Sequence, residues 1–160
     1  MTLVWASILL LILVTGLNAQ ATGLAQGVGP AQTYTLSGRV YEGNVGLEPP
    51  NSTPLQGVTV SLYCSNNYGQ QGTFLRSTTT DSNGWYGLGV YDTDLCDYYN
   101  IVETDPVGYF SNGATTVDGS ALTVNWIEYT YPLSGKTLTG NKFWDGTNHV
   151  YLPITLRNYQ

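Results

Sequence analysis

A chain of 160 residues has room for one domain with a substantial core and too little for two. Only 10% of its residues are charged, Gly (19) and Tyr (13) are plentiful, and no long stretch of Ala, Glu, Lys and Leu occurs, which excludes a helical bundle and points to an all-β chain rich in turns. The net charge is −6 and the five basic residues, Arg39, Arg76, Lys136, Lys142 and Arg157, stand singly, so no basic stripe exists to neutralise a phosphate backbone and nucleic acid is excluded as a partner.

In chain order, residues 1–21 read as a secretory signal: an apolar run through Val14 followed by small residues around Ala19 and Ala21. The run is shorter than the roughly 20 apolar residues a bilayer span needs, although no Lys or Arg precedes it. Residues 22–33, rich in Gly, Ala and Gln and without a period, read as a flexible lead. A sandwich domain over 34–141 follows, and 142–160 form a last strand or tail.

Seven strand-like runs alternate with turn clusters: Tyr34–Tyr41, Val58–Cys64, Thr73–Thr80, Trp85–Val90, Tyr98–Glu103, Thr123–Tyr131 and Val150–Leu156. The second is the clearest, with Val58, Val60, Leu62 and Cys64 on one face and Thr59, Ser61 and Tyr63 on the other. Asp81-Ser82-Asn83-Gly84 is a turn cluster whose last two residues tolerate positive φ, which predicts an antiparallel hairpin of the flanking runs. The expectation is an antiparallel β-sandwich of about seven strands, immunoglobulin-like or prealbumin-like. Two cysteines in an exported chain predict a Cys64–Cys96 disulfide.

The order Ser37-Gly38-Arg39-Val40-Tyr41, Pro54-Leu55-Gln56-Gly57-Val58-Thr59-Val60-Ser61-Leu62, Thr80-Asp81-Ser82-Asn83-Gly84-Trp85-Tyr86 and Tyr99-Asn100-Ile101-Val102-Glu103-Thr104-Asp105-Pro106-Val107-Gly108-Tyr109 resembles the B-type repeat domains of bacterial surface adhesins. It is similar also to collagen-adhesin B-type and carboxypeptidase-regulatory-like domains, and the resemblance covers about half the chain. It implies a prealbumin-like sandwich serving as a stalk, spacer or adhesive unit of a cell surface. It further implies that Glu103 stands where a glutamate promotes a Lys to Asn isopeptide bond, but the first strand carries Arg39 in place of the lysine donor. The loop that binds calcium in such repeats corresponds to Glu42–Pro50, which has no Asp.

Other candidate sites come from the residues themselves. Asp92, Asp94 and Asp97 in one loop can supply some of the oxygens calcium takes, against the plainer reading of a solvated acidic loop. Trp126 and Trp144, with the many tyrosines, can form an aromatic platform for sugar rings, and Trp126 shares a strand face with Glu128, which suggests the wet side. Trp85 is expected in the core. His149, the single histidine, lies in the C-terminal segment, which gives general-base catalysis little to build on. Leu152-Pro153-Ile154-Thr155 looks like the start of a sortase signal but is followed by Leu156 and no hydrophobic segment. The sequence therefore predicts a secreted or cell-surface structural or adhesive module without catalytic activity or cofactor. Its partner is an extracellular or cell-surface protein or glycan, and the alternative is a carbohydrate-binding module.

Overall fold

The computed structural model describes residues 31–147. The signal and most of the lead, the Val150–Leu156 run, His149 and the Leu-Pro-x-Thr segment lie outside the described residues. Among the described residues no helix is long and apolar enough to cross a membrane.

Ten strands follow one another: β1 (Gln32–Glu42), β2 (Thr53–Pro54), β3 (Thr59–Ser65), β4 (Thr73–Thr79), β5 (Trp85–Tyr91), β6 (Tyr98–Thr104), β7 (Tyr109–Thr115), β8 (Ser120–Thr123), β9 (Trp126–Thr130) and β10 (Thr137–Thr147). They form two five-stranded sheets. In the first, β10 lies between β1 and β7, and the other edge of β1 is shared by β5 along Gln32–Arg39 and by β2 at Tyr41 and Glu42. The second runs β4-β3-β6-β9-β8.

The sandwich expected from the sequence is present, with more strands than seven and with one parallel ladder among antiparallel ones. That ladder joins β1 to β10, with Thr35 opposite Thr137 and Glu42 opposite Asp145. Because the first and last described strands run side by side in one direction, the chain comes in at one pole of the sandwich and leaves at the other.

Alternation builds the core. Leu36 and Val40 of β1, Tyr86, Leu88 and Val90 of β5, and Leu138 and Phe143 of β10 face Val60 and Leu62 of β3, Tyr99 and Ile101 of β6, and Ile127 and Tyr129 of β9. Each buried aliphatic or aromatic side chain contributes about 1.5–3 kcal/mol. Within the first sheet, β1 and β10 approach so closely at Gly38 that a Cβ there would lie 1.6 Å from the Asn141 carbonyl oxygen. Asn141 is fully buried, its amide donates to the Ser37 carbonyl at 3.0 Å, and its side-chain oxygen accepts from Tyr129 at 2.6 Å and Thr116 at 2.9 Å.

Several expectations are corrected. The first described strand takes in Gln32 and Thr33, expected in the lead, and the strand Thr137–Thr147 runs across the expected boundary at 141. The turn at Asp81–Gly84 does not make a hairpin. β4 pairs with β3 and β5 with β1, so this turn carries the chain from one sheet to the other. Asp81 closes the turn: its Oδ1 accepts from the amides of Asn83 (2.8 Å) and Trp85 (2.9 Å), while Gly84 takes φ +69. A carboxylate that closes the turn locally lets the two strands diverge. The run Thr123–Tyr131 is broken at Val124-Asn125 into β8 and β9. Strand β7 went unseen because its sequence, Tyr-Phe-Ser-Asn-Gly-Ala-Thr, has no apolar alternation.

The disulfide between Cys64, near the end of β3, and Cys96, just before β6, spans Cα atoms 5.4 Å apart. Beside it, Arg76 of β4 donates through both terminal nitrogens to Asp94, each at 2.7 Å, and to the Gly89 carbonyl of β5 at 2.7 Å, with Tyr91 under its guanidinium. One side chain thereby ties the two sheets together at this pole.

Candidate functional site

The expected calcium loop does not gather its carboxylates. Asp94 is buried and held by Arg76 and by the Tyr91 amide at 2.8 Å, whereas Asp92 and Asp97 are exposed. Burial raises the Asp94 pKa, but the Arg76 hydrogen bonds and the Tyr91 amide outweigh it and hold the group below the usual carboxylate range. A carboxylate so paired serves the fold.

The aromatic platform does not form either. Trp126 and Trp144 lie in different sheets, and Trp144 is 1% exposed. Its ring rests against Tyr41 with centroids 6.0 Å apart, and its Nε1 donates to the Leu47 carbonyl at 2.6 Å, so the 43–52 loop closes over it. Trp126 is half-buried and donates to the Asn100 side-chain oxygen at 2.8 Å. The face it shares with Glu128 is covered rather than wet, because the loop after β3 lies across it. The Gly69 amide donates to Glu128 at 2.9 Å, and Asn100 donates to the Gln70 and Gln71 carbonyls at 3.1 and 3.3 Å. Burial raises the Glu128 pKa against the lowering effect of that amide. Trp85, expected in the core, is 46% exposed on β5.

What the structure does bring together is an acidic cluster at the pole opposite the disulfide. Glu103 follows Ile101 by two on the inner face of β6, and Asp145 follows Phe143 by two on the inner face of β10. The pleat that buries the two apolar residues therefore turns the two carboxylates toward each other between the sheets. Glu103 is 1% exposed and Asp145 0%. Asp105 stands at the exposed rim, and carboxylate oxygens of all three residues lie within 4.8 Å of one another. The Ser111 hydroxyl donates to Asp105 at 2.6 Å and reaches Glu103 Oε2 at 3.4 Å. Glu103 Oε1 and both oxygens of Asp145 have no hydrogen-bond partner.

Burial, then the Asp145 and Asp105 charges, push the Glu103 carboxyl up to about 8, with Ser111 opposing. Burial and the Asp105 charge push Asp145 up to about 7. Glu42, the register partner of Asp145 on β1, lies beside Tyr109, whose pKa rises by burial and by the Glu42 and Asp145 charges. No described basic residue answers this charge. Arg76 is taken by Asp94, Lys142 pairs with Glu48, Arg39 donates to the Asn83 carbonyl, and Lys136 lies exposed in the turn before β10. Glu103, where the resemblance puts the isopeptide glutamate, thus faces a second carboxylate and no lysine.

Sequence reasoning named Glu103 but missed Asp145. The signal was there: Asn141, Phe143 and Asp145 alternate on one face, so a buried Phe143 implies a buried Asp145.

At the other pole a cavity of about 440 Å³ opens between β1, β5 and the loop before β6, lined in part by Tyr34, Tyr91, Leu95, Tyr99 and Tyr131, with Asp92 and Asp97 at hand.

No protein-family model matches the chain, and no curated protein matches it. Among solved structures it is similar to the full-length major pilin SpaD from Corynebacterium diphtheriae, at 16% identity over 72% of this chain and 32% of that one, TM-score 0.48. It is similar also to shaft pilin SpaA from Lactobacillus rhamnosus GG, as the D295N mutant, at 15% identity over 73% and 52%, TM-score 0.49. A third is the major plantain pollen allergen Pla l 1, at 17% identity over 75% and 98%, TM-score 0.43. The chain spans about a third of the SpaD pilin and about half of the SpaA pilin. The sandwich itself rests on the strand order and core described above.

Proposed function

We propose that the chain is a secreted or cell-surface structural module, a spacer or adhesive sandwich that carries load and has no catalytic activity, with an extracellular protein as its partner. The observation that carries this reading is the parallel pairing of β1 with β10 in the interior of one sheet. Tension applied at the two poles shears this ladder, so its hydrogen bonds resist together instead of opening one at a time. The disulfide supports the reading in a second way, since it shortens the chain that can be drawn out and belongs to an oxidising compartment. The apolar segment ending near Val14 supports export.

Intact-mass measurement of the protein recovered from the medium tests export and covalent state together. The expected mass lacks the first 19 to 21 residues and two hydrogens, with no loss of water or ammonia. Recovery only inside cells, with free thiols, overturns the reading.

The carbohydrate-binding alternative keeps one supporting observation, the tyrosine-lined cavity at the disulfide pole. Tyrosine faces with two nearby carboxylates suit a sugar's apolar face and hydroxyls. Glycan-array binding that Tyr131→Ala abolishes, with the fold retained, would favour a lectin over a spacer.

A further inference from the structure

Two carboxylates facing each other inside a β-sandwich are costly unless something positive lies between them, because an isolated buried charge loses its hydration. At the Glu103 pole the described residues supply no such group: Arg39 and Arg76 are engaged elsewhere, as is Lys142, and Lys136 is exposed. Three buried oxygens, Glu103 Oε1 and Asp145 Oδ1 and Oδ2, are left without a hydrogen-bond donor on residues that are 1% and 0% exposed. Buried acceptors of this kind are normally satisfied, and a carboxylate oxygen from each of Glu103, Asp145 and Asp105 lies within 4.8 Å of the other two. A fourth oxygen source, the Ser111 hydroxyl, stands between Asp105 and Glu103.

We propose that Glu103, Asp145, Asp105 and the Ser111 hydroxyl hold a hard divalent cation, calcium before magnesium, that bridges the two sheets at this pole. All the donors are oxygen, which selects hard cations over zinc or copper. Glu103 belongs to β6 of one sheet and Asp145 to β10 of the other, so the ion crosslinks the layers where the disulfide is absent. Asp105 at the exposed rim gives the ion its way in, and water completes the six to eight oxygens that calcium takes. The site is distinct from the Asp92–Asp97 loop, whose central carboxylate is spent on Arg76.

The test is calorimetric titration of the chelator-stripped protein at pH 7.5 with calcium chloride and, separately, magnesium chloride, paired with thermal unfolding. The expected result is one ion per chain with a dissociation constant on the order of 10⁻⁴ M, the scale of extracellular calcium modules. A hundredfold excess of the ion then raises the melting temperature by about 10 °C. Glu103→Gln and Asp145→Asn each remove the binding heat and the calcium-dependent rise while melting no lower than the stripped protein. Binding at pH 5 is at least tenfold weaker, because protons compete for the same oxygens. Absence of heat and of any shift with either cation up to about 10 mM overturns the proposal, and so does binding that survives unchanged in both variants.

Discussion

Asp145→Asn is the substitution whose effect follows most directly from the acidic pole. It keeps the shape of the side chain, removes one of the two facing charges and supplies two N–H donors where only acceptors now stand. Moving a carboxyl from its ordinary 3.8 to about 7 disfavours its charged form by about 4 kcal/mol at pH values above both. Glu103, pushed to about 8 partly by the same neighbour, is relieved as well. Because the two groups are coupled and some of the cost is met by protonation, the expected gain at pH 8 in chelator is about 2–4 kcal/mol, or about 8–16 °C in melting temperature. The sign with pH is fixed by the direction of the shifts. Both folded-state values lie above the unfolded ones, so the wild type is most favoured below about pH 4 by these groups and loses that stability as pH rises through about 7 and 8. Asp105 at the rim, Glu42 with Tyr109, and Tyr86 share the neighbourhood, and none of them brings a positive charge to it. Tryptophan fluorescence melts from pH 4 to pH 9 measure the effect: the variant's advantage is large at pH 8 and shrinks to under about 1 kcal/mol at pH 4. A variant less stable than wild type at pH 8, or one with an unchanged pH slope, refutes the reasoning.

Two further perturbations follow from the fold. Replacing Cys64 and Cys96 by Ala opens a crosslink with a sequence separation of 32, and chain entropy puts the loss at about 4 kcal/mol in denaturant titration; a loss under about 1 kcal/mol would show that Arg76 alone secures this pole. Gly38→Ala drives a methyl group onto the Asn141 carbonyl and parts β1 from β10, so a loss above about 3 kcal/mol or failure to fold is expected. Near wild-type stability in that variant would contradict the close approach of the two strands.

Where strand alternation is sampled by apolar residues, the sequence was a good guide. Val58, Val60 and Leu62 sit inside as their spacing required, and the cysteines meet. Pairing was harder to read, because Asn83-Gly84 marks a turn without saying whether the next strand returns to the same sheet, and here it crosses to the other. Trp126 and Trp144 were misplaced for one shared reason. Alternation tells which residues leave the core side of a sheet, but not whether a loop covers the other side, and here the 43–52 and 66–72 segments cover both. The acidic pole was half legible, with Glu103 visible by resemblance and Asp145 hidden until the register of β10 placed it across the sandwich.

The central claim, that this sandwich is built to bear tension between its poles, is tested most directly by pulling single molecules through their two ends. The account predicts one cooperative rupture that lengthens residues 31–147 by about 270 Å with the disulfide closed and about 375 Å after reduction, at about 3.5 Å per residue freed and with about 35 Å already spanned by β10. It also predicts a rupture force higher than that measured when the same molecule is held at Val107 and beyond Thr147, a geometry that peels β10 from β7 bond by bond. Rupture end to end at an equal or lower force, or in several small steps, would contradict it.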